Sequence, residues 1–178
     1  LHLNNSNIER IENKTFNGLK SLRSLHMEDN RIHELKGFEF NGLTNLRELY
    51  LQGNLISSIH NATFAGLKSL EILNIAGNAI IDFPIWQLAL NPYLVSLRAG
   101  ANLWSCDCAF TQRFTAWMAA FSSRLSDIQE IECVSNEAAG PAATKMVEHK
   151  ERVCVEPMVA VAKTQVQEEL IENFLPLM

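Results

Sequence analysis

The chain has 178 residues, 47% of them hydrophobic, enough to bury a core of its own. A formal charge of −5 argues against nucleic-acid binding, which rests on a basic face. No apolar run reaches the roughly 18 residues that span a bilayer, and no basic-then-apolar stretch of the signal-peptide kind opens the sequence.

Taken in chain order, the first feature is an internal period. Leu1, Leu25, Leu49, Leu73 and Leu97 recur at intervals of 24, and Leu3, Met27, Leu51, Ile75 and Ala99 follow two residues behind them. Ser6 and then Asn30, Asn54, Asn78 and Asn102 keep the register, as do Ile8, Ile32, Ile56 and Ile80. Phe16, Phe40 and Phe64 extend it, with Gly18, Gly42 and Gly66, then Leu19, Leu43 and Leu67. The pattern LxxLxLxxN at this spacing is the signature of a leucine-rich repeat. Each LxL is expected to be a short strand with both leucines inward, because side chains alternate along a strand. The strands stack in parallel on a concave face, giving an α/β repeat solenoid over residues 1–102. Asn30, Asn54, Asn78 and Asn102 form a structural ladder, each side chain serving backbone groups that the turn leaves unpaired. The phenylalanines fill the convex side. A single repeat cannot bury its own core, but the stack can.

The fourth repeat departs from the pattern. Leu88 takes the Phe place, Leu90 takes the Gly place, and Phe83-Pro84-Ile85-Trp86-Gln87 replaces a polar stretch. Repeats that meet a cap are expected to be atypical. Leu1 opens in mid-repeat with no capping segment ahead of it, so further repeats upstream are expected.

All four cysteines follow the repeats: Cys106, Cys108, Cys133 and Cys154. Four cysteines allow three pairings. A Cys106–Cys108 bridge would close a strained ring, which leaves two. A four-thiolate zinc site fits poorly, since only one closely spaced pair is present and its spacing is too short. Disulfides place the chain in an oxidising, extracellular compartment. Phe110, Phe114, Trp117, Met118 and Phe121 share one helical face, with Ser105 or Asp107 as its N-cap. That face, with Trp104, is expected to close the open end of the repeat core. Residues 103–155 therefore read as a cysteine-rich cap containing a helix. The Ala138–Ala143 stretch reads as a loop.

Three sequons fit the secreted reading: Asn13-Lys14-Thr15, Asn61-Ala62-Thr63 and Asn4-Asn5-Ser6. Asn13 and Asn61 share a register on the convex side, whereas Asn4 projects from the strand face, where a glycan would obstruct it. The outward neighbours of the strand leucines form the candidate protein-binding face: His26, Tyr50, Asn74 and Arg98 in one column, Glu28 and Gln52 in the next, and Ser24, Glu48, Ile72 and Ser96 in a third. Tyrosine and arginine are enriched at binding hot spots. The five histidines show no metal spacing, and neither a nucleophile elbow nor a phosphate-cradling loop is present. The chain reads as a binding module that uses no metal or cofactor, not as an enzyme.

The string Asn102-Leu103-Trp104-Ser105-Cys106-Asp107-Cys108, followed by Phe110 and Trp117, resembles the C-terminal leucine-rich-repeat cap of many receptors. Asn13–Leu19, Leu49–Gln52, Asn61–Phe64, Ser69–Leu73 and Pro84–Gln87 resemble the membrane-proximal repeats of arthropod Toll receptors, over about residues 1–134. Glu172–Met178 is similar to the lead-in to that family's membrane helix, which makes 156–178 a juxtamembrane stalk. The resemblance implies disulfides Cys106–Cys133 and Cys108–Cys154. It implies the extracellular part of a single-pass signalling receptor of innate immunity or development, held in the plasma membrane by a segment after Met178. It also implies a cystine-knot, Spätzle-like protein ligand or partner receptors, with dimerisation. The alternative is a secreted, matrix or cell-adhesion protein with the same repeats and no signalling domain.

Overall fold

The computed structural model describes residues 1–137 and 139–154. The repeats supply six short strands: β1 (Ser24–His26), β2 (Glu34–Leu35), β3 (Glu48–Tyr50), β4 (Ser58–Ile59), β5 (Ile72–Asn74) and β6 (Ser96–Arg98). One parallel sheet runs in the order β1-β3-β5-β6. Its register is the sequence period, with Leu25 opposite Leu49, Leu49 opposite Leu73 and Leu73 opposite Leu97. Strands β2 and β4 pair in parallel as a second, smaller ladder. The leucine-rich-repeat solenoid expected from the spacing is the architecture formed. In β1, β3, β5 and β6 the central leucine is buried and its neighbours face outward.

Two devices turn the chain out of every strand. The residue before each ladder position lies in left-handed backbone: Asn5, Asp29, Gly53, Gly77 and Ala101, with φ of 53°, 55°, 69°, 62° and 51°. Asn, Asp and Gly tolerate that region, whereas alanine pays about 1–2 kcal/mol for it. Ala101 is exposed, so Ala101→Gly is expected to stabilise the protein by about 0.5 kcal/mol, after glycine's extra unfolded-state entropy is deducted. Denaturant titration reads this directly; a loss of stability would contradict the strain.

The second device is the ladder. Asn54 accepts the Ile32 N–H on Oδ1 at 3.1 Å and donates Nδ2 to the carbonyls of Met27 and Leu51 at 3.0 Å each. Asn30, Asn78 and Asn102 likewise accept from Ile8, Ile56 and Ile80. Ser6 takes the first place without acting as a rung; its backbone N–H donates to Asn30 Oδ1 instead.

On the convex side Phe16, Phe40 and Phe64 stack with centroids 6.5 and 6.3 Å apart. Phe83 continues this spine by packing edge-on against Phe64 at 5.7 Å. Leu88 is also buried, and Leu90 is exposed. A 3-10 turn over Ile85–Leu90 reshapes the repeat, and buried Asn91 donates to the carbonyls of Phe64 and Leu67.

The cap comprises β7 (Trp104–Ser105), α1 (Cys108–Ala120), β8 (Glu132–Glu137), β9 (Gly140–Lys145) and α2 (Met146–Val153). Asp107, not Ser105, caps α1 by accepting the Phe110 N–H at 3.0 Å. Trp104, Phe114, Trp117 and Met118 are buried and continuous with the repeat core. Trp104 meets Phe114 edge-on at 5.0 Å and donates its indole N–H to the Ala99 carbonyl. The loop expected around Ala138–Ala143 is corrected by the structure. Gly140–Lys145 is a strand, paired antiparallel with β8 from Glu132–Lys145 to Glu137–Gly140. Small side chains and Pro141 hid its alternation, and an edge strand such as β9 tolerates proline. The expected stalk over 156–178 lies outside the described residues.

Candidate protein-binding face

Strand alternation fixes which side chains reach the concave surface. Because the strands are in register, residues 24 apart stand side by side, about 4.8 Å from one another. The central row runs His2, His26, Tyr50, Asn74, Arg98. Its first three members form a ring stack, with His2 on His26 at 4.3 Å and His26 on Tyr50 at 4.5 Å.

Around that stack several polar side chains bond to one another. Glu48 Oε2 accepts from Ser24 Oγ at 3.0 Å and from the Tyr50 hydroxyl at 3.4 Å. His26 bridges Ser24 Oγ at 3.1 Å and Glu28 Oε1 at 3.3 Å. Burial and the neighbouring Glu48 carboxylate, with a smaller contribution from Glu28, raise the Tyr50 phenol above its ordinary range. Tyr50 therefore stays a protonated donor at neutral pH. Gln52 and Glu28 stand side by side in the next row, where Gln52 Oε1 and Glu28 Oε2 are buried without a hydrogen-bond partner among the described residues.

The other half of the face differs. Tyr50, Gln52, Ile72, Asn74, Ser96 and Arg98 line a shallow depression of about 350 Å³. Asn74 uses its carbonyl oxygen on the Ala76 N–H at 3.1 Å. Arg98 is exposed and joins none of the ion pairs found among the described residues. The six candidate residues His26, Glu28, Tyr50, Gln52, Asn74 and Arg98 thus share one surface, divided into a self-paired acidic and aromatic half and an open half.

The far edge of the sheet is closed by a residue that sequence reasoning missed. Buried Asp127 accepts the backbone N–H groups of Ala99, at 2.9 Å, and Gly100, at 2.6 Å. Leu125 forms a bridge beside Leu97. A lone aspartate beyond the last repeat carries no periodic signal that would reveal this role.

Cys106 is bonded to Cys133 and Cys108 to Cys154, with Cα separations of 5.0 and 5.3 Å. His149 lies close to both bridges and its Nε2 meets the Cys106 carbonyl at 2.9 Å. With every cysteine sulfur in a disulfide, this cluster offers no thiolate of the kind a zinc site uses. Asn13 and Asn61 are exposed, Asn4 is half-buried, and the Thr63 side chain of the second sequon is buried.

Comparison with known proteins agrees with this geometry. The Leucine rich repeat family matches residues 1–56 and 20–80. Toll-like receptor 7 of Drosophila melanogaster is 42% identical over 64 residues, which is 34% of this chain and 4% of that receptor. The structure of the Drosophila Toll–Spätzle complex aligns with a TM-score of 0.63 and 25% identity, covering 83% of this chain and 18% of the matched one. The leucine-rich repeat domain of APL1B shares the fold, with a TM-score of 0.56 and 24% identity over 59% of this chain and 32% of that one. The chain therefore spans a small part of the Toll proteins it matches, and the leucine-rich-repeat match covers its residues 1–80.

Proposed function

We propose that this chain is an extracellular protein-binding segment of a Toll-type transmembrane signalling receptor, working through its concave face. The observation that carries the reading is the 42% identity to Toll-like receptor 7 of Drosophila. The alignment of 83% of this chain with the Toll–Spätzle structure supports it. Two disulfides suit an oxidising exterior, and glycans at Asn13 and Asn61 would leave the strand face open. The ligand class is a cystine-knot, Spätzle-like cytokine or a partner receptor, with dimerisation carrying the signal. The chain binds; it does not catalyse.

The reading frame beyond Met178 tests this. About 20 apolar residues followed by lysine and arginine are expected, the pattern of a membrane span with its cytoplasmic flank. A stop codon soon after Met178 would overturn the receptor reading in favour of a secreted or matrix adhesion protein.

A further inference from the structure

We infer that the open half of the concave face is a recess for an acidic residue flanked by a large apolar one, on an extended segment of the partner protein. The inference rests on the proposal that this face binds protein, and it names the chemistry the face selects.

The argument begins with what each charge on the face already does. Glu48 is held by Ser24 and Tyr50, and Glu28 by His26. Arg98 has no carboxylate partner among the described residues, so its positive charge is left unanswered on the face. Directly across the register from it stands Asn74, whose carbonyl is engaged with Ala76 and whose NH₂ group donates to no described residue. Two donors therefore sit side by side on adjacent strands. A planar guanidinium suits a carboxylate because it offers paired N–H groups in one plane, and the neighbouring amide adds a further donor without adding charge.

The apolar requirement comes from the adjoining positions. Ile72 lies two residues before Asn74 on the same strand, hence about 6–7 Å away on the same face. It is half-buried where the equivalent places in the neighbouring repeats hold Ser24, Glu48 and Ser96. Tyr50, across from Asn74, is held upright by its stack on His26 and its bond to Glu48. An isoleucine between polar neighbours and a fixed aromatic ring form an apolar wall within one side chain of the donor pair. Such a rigid wall keeps the entropic cost of binding low. A basic partner residue would meet Arg98 with like charge, so the recess selects against it as well as for acid.

The test is selection of a random displayed peptide library on the intact chain, followed by titration of the winners against variants that retain the wild-type melting temperature. The winners are expected to carry Asp or Glu within a residue or two of Leu, Ile, Phe or Tyr. Their affinity should fall about tenfold or more in Arg98→Ala, recover in part in Arg98→Lys, weaken in Ile72→Ser, and decline with added salt. Winners that respond to Tyr50→Ala and Ile72→Ser but carry no acid and ignore Arg98→Ala would overturn this inference and leave the concave face as a binding surface. Winners indifferent to all three positions would overturn the use of the face itself.

Discussion

Asn54→Ala is expected to destabilise the protein by about 3 kcal/mol, at the upper end for one buried polar side chain because three backbone groups lose their partner together. The Ile32 N–H and the carbonyls of Met27 and Leu51 all bond to this amide, and Asn54 is only 4% exposed, so solvent is poorly placed to replace it. At this chain length the loss corresponds to a fall in melting temperature of about 6–12 °C. Asn54→Asp should be no better: it keeps an acceptor for Ile32 but turns a carboxylate toward two carbonyls. Asn41→Ala, at an exposed convex position, should change stability by less than about 0.5 kcal/mol. Equal effects at Asn54 and Asn41 would show that the ladder is not what holds the turns.

The contrast between those two asparagines shows why the repeats were legible in the sequence. Identity at Leu25, Leu49, Leu73 and Leu97 is a physical demand, since each occupies the same place in a stacked core, and repetition makes the demand visible. The outward columns were readable for the same reason, because alternation in a strand assigns sides without reference to residue type. What the spacing did not reveal is how those side chains use one another. Glu28, Glu48 and Arg98 are equivalent in the sequence as charges on a sheet face; only the folded arrangement separates two hydrogen-bonded carboxylates from an open guanidinium. The cap was less readable still. Asp127 closes the sheet from outside the repeats, and β9 is built from Gly140, Pro141, Ala142 and Ala143, residues whose composition speaks for a turn. In both places a tertiary partner decides the conformation, β8 for the strand and the open edge of β6 for the aspartate, and a partner distant in sequence leaves no local trace.

Removing the second disulfide should produce the largest effect within the cap. Replacing both Cys108 and Cys154 with alanine is expected to cost about 4 kcal/mol, the chain-entropy value for their separation of 46 residues. The Cys106–Cys133 bridge, with a separation of 27, should contribute slightly less on that ground, about 3.5 kcal/mol. The loss should also be local. Met146 is the single buried residue of α2, and further ties include its backbone N–H donating to the Ile131 carbonyl at 3.2 Å, Gln112 Nε2 donating to the Cys154 carbonyl at 3.2 Å and His149 meeting the Cys106 carbonyl at 2.9 Å. One buried side chain contributes about 1.5–3 kcal/mol, less than ordering an eight-residue helix costs in backbone entropy. The bridge therefore fixes α2 against α1, and without it the helix should open while the repeats stay closed. Solenoid stability is a sum of neighbour terms, so damage at one end is not shared along the stack. Hydrogen exchange distinguishes the alternatives. Protection should vanish over 146–153 and persist at the amides of Ile32 and Ile56, which the ladder asparagines hold. If protection fell equally in the repeats, cap and solenoid would form one cooperative unit, and the cap would be a condition of the fold instead of a closure added to its end.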